Sequence, residues 1–202
     1  MKKLILVFAL ILNSLFLIAQ VTVKSNLVTD TVKAKWGKTK IVNGTQMVSS
    51  NDIIENMAQL KDCSLLITAI KNAGLTETFK SKGPITFFAP TNQAFGKLQA
   101  GKLDTLLKSN HKYELNYLLT GHAIAGRLSA RDIAKKINSN KGQATFITIA
   151  GSKLTAKIDN NRNIVLVDEN GGESIISQFN IPQSNGMLHI VDSVLIPKTK
   201  VI

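Results

Sequence analysis

Hydrophobic residues follow two different spacings along the chain. Between Asn51 and Ile137 they recur mostly three or four positions apart, which predicts a series of short amphipathic helices. From Ala144 onward they recur at every second position, which is the spacing of strands. Because the helices come first and the strands later, the pattern predicts an α+β fold formed by one domain.

Capping and turn residues place the boundaries of several of these elements. Asn51 or Asp52 precedes the first helix as an N-cap, and Ser129 with Asp132 resembles a capping box before the last one. Gly74 predicts the carboxyl end of a helix. A polar turn, DNNR, separates two of the later strands and predicts a hairpin.

The segment TFFAPTNQAFGKL, Thr86–Leu98, predicts an abrupt change from strand to helix. Pro90 ends the strand because it fixes φ and lacks an N–H group, and Thr91 or Asn92 can cap the next helix. Apolar side chains on both sides would attach this helix to the sheet: Phe87 or Phe88, Phe95 and Leu98. The segment has no Ser, Cys, His, Asp or Glu, so we interpret it as a folding joint and not as an active site.

The amino-terminal region has the pattern of a secretory signal. A basic start, MKK, precedes a nearly unbroken apolar run that ends at Ala19. An uncleaved anchor is the alternative, but this run is shorter than the ~20 residues that a span requires. We predict a signal peptide over 1–19, a polar basic leader or linker over 20–50, a domain over 51–198 and a tail over 199–202. The protein is then expected to be secreted, of bacterial type, with no transmembrane segment after cleavage.

The charge balance predicts attraction to anionic polymers. Lys and Arg outnumber Asp and Glu by 25 to 13, which makes the formal net charge +12. Loss of Lys2 and Lys3 with the signal would still leave a strongly basic protein, which adsorbs to acidic polysaccharides and other cell-surface polymers. Aromatic residues are only 5% of the chain and are not interleaved with the basic ones, so no specific nucleic-acid site is predicted. Cys63 is the only cysteine, which excludes an internal disulfide.

Motifs of catalysis and of metal binding do not occur in the sequence. It contains no Gly-x-Ser-x-Gly elbow, no glycine-rich phosphate loop, no zinc-binding histidine pair and no calcium loop. We therefore predict no catalytic residue, no metal and no cofactor. His189 lies in an apolar strand and His122 follows a helix end, where a hydrogen-bonded structural histidine is expected. A hydrolase that uses His122, His189 and Asp192 is a third, less favoured hypothesis.

Four segments, in order along the chain, carry a resemblance to a known family. TFFAPTNQAF (86–95) and NGMLHIVDSVLIP (185–197) resemble the two signature motifs of the fasciclin domain. YLLTGHAIAGRLSA (117–130) looks like its central segment, and the region 53–79 is similar to its opening helices. The resemblance covers about 51–198. It implies a helical layer packed on a β-wedge or sandwich, and an extracellular, non-enzymatic role in adhesion or matrix interaction.

The resemblance also implies a location for binding. In vertebrate matrix relatives, integrin recognition has been tied to a central Tyr-His pair and to an Asp-Ile pair. In this chain Gly121 and His122 occupy the positions of the Tyr-His pair. Asn180 and Ile181 occupy the positions of the Asp-Ile pair. Asn92 likewise replaces the usual Asp of the first signature motif, in which Pro90, Thr91 and Phe95 are retained; His189 and Asp192 belong to the second motif.

Two main hypotheses follow for the function. The first is a secreted module for cell adhesion or matrix interaction, whose partner is an extracellular protein or an anionic cell-surface polysaccharide. The alternative is an extracellular protein that binds a small molecule or an anionic glycan through a pocket or face near His122 and His189. The oligomeric state is not predicted.

Overall fold

The computed structural model describes residues 37–81 and 83–198. The predicted signal peptide (1–19) and tail (199–202) lie outside these residues, as does the predicted leader as far as residue 36. Helices and strands together form the predicted α+β fold. The α-helices of the described residues are α1 Ile53–Met57, α2 Ser64–Ala73, α3 Thr76–Ser81, α4 Asn92–Gly96, α5 Lys102–Leu106, α6 Lys112–Thr120 and α7 Ala130–Ser139. The strands are β1 Thr39–Val42, β2 Thr45–Val48, β3 Ile85–Pro90, β4 Ala123–Ala125, β5 Gln143–Ile147, β6 Lys153–Ile158, β7 Ile164–Val167, β8 Glu173–Gln183 and β9 Gly186–Val191.

Local side-chain chemistry explains where several helices begin and end. Asp52 accepts a hydrogen bond from the amide of Glu55, whose carboxylate accepts one from the Asp52 amide in return. Ser129 and Asp132 form the same reciprocal box at the start of α7. Gly74 ends α2 in the left-handed conformation, with φ of 73°. These boundaries agree with the sequence pattern because each depends on residues close together in the chain.

The larger sheet closes on itself as a wedge. Its described strands have the order β4-β3-β9-β8-β7-β6-β5, and β3 and β9 are the one parallel pair among them. The two edges of the sheet approach each other where Ile124 bridges to Thr148. The amide of Ile149 also donates to the Ala123 carbonyl oxygen at 2.7 Å. The wedge therefore has an interior and an outer face.

Strand β3 divides the hydrophobic core into two clusters. Phe87 belongs to a cluster that the helices α1 to α6 form against β3, β8 and β9. Phe88, the next residue, belongs to a second cluster inside the wedge, which α7 covers with Ile133 and Ile137. Because successive side chains of a strand point to opposite faces, the apolar pair FF supplies both clusters from one strand. All six residues of β3 are buried for this reason.

The domain begins earlier than the sequence pattern indicates. β1 and β2 form a hairpin whose Val42 and Met47 are buried in the helix-side cluster. Asn56 of α1 holds the hairpin in place, because its side chain donates to the Val48 carbonyl oxygen at 2.8 Å and accepts from the Val48 amide at 3.1 Å. The compact unit starts at Thr39, so part of the segment interpreted as a leader up to residue 50 belongs to the domain.

Gly186 lies directly opposite Ile85, where the parallel strands β3 and β9 leave no space for a side chain. A Cβ atom added there would overlap the Ile85 carbonyl oxygen and lie 3.0 Å from the Ile85 carbonyl carbon. We expect Gly186→Ala to lower the free energy of unfolding by about 3 kcal/mol, the upper end of ordinary overpacking costs, because the strands must move apart. Urea unfolding monitored by circular dichroism measures this change.

Gly96 offers a matched control for that substitution. It is exposed in α4, and a Cβ atom added there has no neighbour within 4 Å. Gly96→Ala should leave stability unchanged or raise it by about 0.4–1 kcal/mol, because alanine restricts the unfolded chain. Equal effects of the two substitutions would contradict the close approach of β3 to β9.

Candidate functional site

Hydrogen bonds hold the joint between β3 and α4. The side chains of Thr91 and Asn92 are both engaged in them. Thr91 caps α4, because its Oγ1 accepts from the Ala94 amide at 3.2 Å. Asn92 instead ties α4 to the start of α2: its Oδ1 accepts from the Leu65 amide at 3.0 Å, and its Nδ2 donates to Ser64 Oγ at 2.9 Å. Phe95 is buried in the helix-side cluster. The segment acts as the folding joint that its sequence indicates.

His122 is buried and makes two hydrogen bonds within the protein. Its Nε2 accepts from the Leu195 amide at 3.0 Å, so the proton lies on Nδ1, which donates to the Leu118 carbonyl oxygen at 2.9 Å. Burial lowers the pKa of His122 to about 4, although the Leu118 hydrogen bond opposes this. The neutral imidazole therefore joins the end of α6 to the segment after β9.

His189 is also buried, inside the wedge. Its Nε2 donates to the Leu128 carbonyl oxygen at 2.9 Å, and its ring stacks on Phe88 with centroids 5.6 Å apart. Its Nδ1 makes no hydrogen bond within the described residues. Burial lowers the pKa of His189 to about 4, against the hydrogen bond to Leu128.

Asp192 does not partner either histidine. One of its carboxylate oxygens accepts from the Ile175 amide at 2.8 Å, and the other pairs with Lys97 at 3.1 Å. Partial burial acts to raise its pKa, but these hydrogen bonds and the lysine charge hold it below the usual value. Within the described residues, none of the hydrogen bonds of His122, His189 and Asp192 joins one of them to another. Among the described residues, these three groups therefore do not form a hydrogen-bonded catalytic chain.

The residues that the resemblance singled out for binding lie beneath the surface or serve the fold. Gly121 is buried, and a Cβ atom added there would lie 3.0 Å from the Pro197 Cγ. Asn180 adopts a left-handed backbone with φ of 58°, and its Oδ1 accepts from the Ala130 amide at 2.7 Å. Ile181 is buried in the core. A partner at these places must therefore contact the residues that cover them.

A shallow groove covers the region of Gly121. Its walls come from α5, α6 and the segment after β9, and its volume is about 100 Å³. Tyr113 is 65% exposed and Ile196 is 38% exposed, and both line the groove with Tyr117 and Pro197. The Tyr117 hydroxyl donates to the Lys198 carbonyl oxygen at 3.3 Å, which fixes the tyrosine against the terminal segment. Because Pro197 borders Gly121, the groove adjoins the site predicted at Gly121 and His122.

The sequence interpretation missed the groove. Tyr113 and Tyr117 are four positions apart, which places them on one face of α6, and this spacing was the available signal. The approach of Ile196 and Pro197 could not be seen, because these residues are distant in sequence.

Neither a metal site nor a reactive thiol is found among the described residues. No cluster of three or more His, Cys, Asp or Glu side chains suited to a metal ion occurs among the described residues. Cys63 is buried, and its burial, with the charge of Asp62, raises the pKa of the thiol to about 12. The thiol is therefore an unreactive part of the core.

Comparison with known proteins decides the family. The model of the fasciclin domain matches residues 61–197. The chain belongs to the fasciclin domain family. Protein sll1483 of Synechocystis sp. is 31% identical over 160 residues, which cover 79% of this chain and 81% of that protein. This fasciclin domain is also 32% identical over 134 residues to transforming growth factor-beta-induced protein ig-h3 of Sus scrofa, a match that covers 66% of this chain and 17% of that protein.

A solved structure agrees with the family in fold. A FAS1 domain pair from the insect cell adhesion molecule fasciclin I matches with a TM-score of 0.52 and 22% identity. The match covers 68% of this chain and 46% of the insect chain, so this chain spans less than half of that structure. Among the described residues, none of the helices combines the length and the apolar character that crossing a membrane requires.

Proposed function

We propose that this fasciclin domain is a secreted, non-enzymatic adhesion module that binds an extracellular protein through the groove of Tyr113, Tyr117, Ile196 and Pro197. The observation that carries the proposal is the exposure of Tyr113 and Ile196 beside a concave apolar surface. Tyrosine is enriched at protein interfaces, because its ring contributes a large contact area and its hydroxyl a hydrogen bond.

The size of the groove favours a protein over a small molecule. Ligand pockets usually have volumes of about 300–1,000 Å³, whereas this groove holds about 100 Å³. That space suits one apolar side chain of a partner. Lys102 and Glu114 also line the groove. Together they offer one positive and one negative group to polar residues of the partner around that side chain.

Family membership and sequence support the remaining parts of the proposal. The insect structural relative is a domain pair of a cell adhesion molecule, fasciclin I. The amino-terminal run of apolar residues after MKK supports secretion. His122, His189 and Asp192 have structural hydrogen bonds, which supports a non-enzymatic role.

Retention of beads on whole cells tests the groove. Beads that carry the domain are applied to cells of the producing organism, with their surface proteins intact or removed by protease. We expect Tyr113→Ser to reduce retention at least about tenfold, because a tyrosine anchor typically contributes more than 1.4 kcal/mol. Protease treatment should reduce retention of the unaltered domain to the same extent.

Ile147→Ser is the matched control for this experiment. Ile147 is 60% exposed in β5 and is not among the residues that line the groove. Its substitution should leave retention unchanged. Equal retention of all three proteins, or retention that survives protease treatment, would contradict a protein partner at the groove.

A further inference from the structure

A second cleft lies between α7 and the strands β6, β7 and β8. Its volume is about 310 Å³, which is within the usual range for ligand sites of about 300–1,000 Å³. Arg131 of α7 and Arg162 of the β6–β7 turn both line it, with the apolar side chains of Ile158 and Phe179. This cleft shares no lining residue with the groove of Tyr113, Tyr117, Ile196 and Pro197.

The two arginines of this cleft are available to bind an anion. Both are exposed, and none of the ion pairs or side-chain hydrogen bonds found among the described residues involves either guanidinium group. The neighbouring carboxylates make their hydrogen bonds to other donors, although the charges of Lys135 and Arg131 also act on Asp132 and help to lower its pKa. Asp132 accepts from the Ser129 amide and hydroxyl, and Asp159 accepts from the amides of the β6–β7 turn.

The apolar wall of the cleft indicates what kind of anion fits. Phe179 is 49% exposed and Ile158 is 39% exposed, so each presents apolar surface beside the arginines. A free inorganic anion would make no use of this surface. A sugar ring that carries a carboxylate or sulfate would use both parts, because its C–H face packs on an aromatic ring while its charge pairs with guanidinium groups.

The chemistry of the lining disfavours a nucleic acid. Single-stranded nucleic acids are held by several aromatic side chains on which successive bases stack. Among the described residues that line the cleft, Phe179 is the only aromatic.

The basic surface continues beyond the cleft along α7. Arg131 and Ala134 also line an adjoining depression together with Lys135, Asn138 and Ser139. Arg131 and Lys135 are four positions apart and therefore lie on the same face of the helix. The next unit of an acidic chain would meet Lys135 as a third cation, which favours a polymer over a single sugar.

We propose that this cleft binds an acidic polysaccharide, with Arg131 and Arg162 pairing with a carboxylate or sulfate and Phe179 contacting the sugar ring. The inference goes beyond the adhesion function, because it assigns a different surface and a different class of partner. Arginine forms two parallel hydrogen bonds with such oxyanions, which makes the contact more specific than general attraction to a basic protein.

Binding to immobilised polymers tests the proposal at about 0.15 M salt, where the attraction between distant charges is screened. The polymers are polygalacturonate, dextran sulfate, neutral dextran and single-stranded DNA. We expect binding to at least one of the two acidic polysaccharides, and the comparison shows whether carboxylate or sulfate is preferred. No binding to either, or equally tight binding to DNA, would overturn the proposal.

Substitutions separate the cleft from the overall charge. We expect Arg131→Gln with Arg162→Asn to weaken binding at least about tenfold, because hydrogen bonds to charged groups are lost. Asparagine suits the left-handed backbone of Arg162, whose φ is 66°. The control, Lys71→Gln with Lys108→Gln, removes the same charge from exposed positions and should change binding less than about twofold.

A third variant changes no charge. Phe179→Ala should also weaken binding, because the ring contact is removed while both arginines remain. Equal effects of the arginine and lysine pairs, or an unchanged affinity of Phe179→Ala, would contradict a specific cleft. Tyr113→Ser should bind the polysaccharide normally, so failure of the adhesion proposal is distinguishable from failure of this one.

Discussion

Acidification from pH 7 to pH 4 is expected to destabilise this fasciclin domain by about 3 kcal/mol for each of its two buried histidines. Burial lowers the pKa values of His122 and His189 to about 4, from the usual 6.5. In the unfolded chain both imidazoles take up protons near pH 6.5, whereas the folded protein resists protonation until about pH 4. The contribution of the two neutral imidazoles to the free energy of unfolding is therefore complete above pH 6.5. It is lost as the pH falls toward 4.

The pH window separates the histidines from the carboxylates. Asp132, Asp159 and Asp192 have lowered pKa values, so their contributions are lost only as the pH falls below their usual value of 3.8. Urea unfolding at several pH values between 7 and 4 therefore reports mainly on the histidines.

His189→Gln provides the test of this assignment. Glutamine can still donate toward the Leu128 carbonyl oxygen but does not titrate, so stability should depend less steeply on pH between 6.5 and 4. Asn138→Gln, at an exposed residue of α7 without a titratable group, should keep the steep dependence of the unaltered protein. A profile that is flat in the unaltered protein would contradict the buried neutral state of both histidines.

Phe87→Ala is expected to lower the free energy of unfolding by about 3–5 kcal/mol, the usual cost of removing a fully buried phenylalanine. Phe87 is fully buried, and its ring meets the Phe79 ring edge to face at a centroid distance of 4.9 Å. Its removal leaves a cavity where the first signature motif packs against the helices. Urea unfolding at pH 7 measures the loss.

Phe179→Ala is the matched control, because its ring is half exposed and contributes little to the core. It should cost less than about 1.5 kcal/mol, in proportion to the smaller buried area. Comparable losses for the two variants would contradict the central position of β3 between the two clusters.

Features that depend on neighbouring residues could be predicted from the sequence. The caps at Asp52 and Ser129, the stop at Gly74 and the joint at Thr91 each use side chains a few positions apart. The hairpin of β6 and β7 likewise follows from alternation around a polar turn. The family resemblance added the α+β architecture, which local pattern alone indicates only in outline.

Features that depend on distant segments could not be predicted in the same way. The parallel pairing of β3 with β9 joins residues about a hundred positions apart, and its register depends on the close approach at Gly186. The hairpin of β1 and β2 presents only Val42 and Met47 to the core, too few apolar positions to distinguish it from a leader. The cleft combines one helix, one turn and residues of three strands.

The candidate site shows the same limit. The sequence indicates a location near His122, but it cannot show that Gly121 is buried against Pro197, which lines the groove with Tyr113, Tyr117 and Ile196. Residues that mark the family therefore hold the fold, whereas the exposed residues above them are the ones available to a partner.

The division between residues that hold the fold and exposed residues that bind a partner is tested most directly by one paired experiment. It measures both the melting temperature and the retention of beads. His122→Asn and Tyr113→Ser are compared with the unaltered domain, with retention measured below the melting temperature of every protein. We expect His122→Asn to lower the melting temperature and to retain binding, because it removes the acceptor of the Leu195 amide but none of the side chains that line the groove. Tyr113→Ser should keep the melting temperature and lose binding. Loss of retention by His122→Asn at an unchanged melting temperature, with full retention by Tyr113→Ser, would contradict the account.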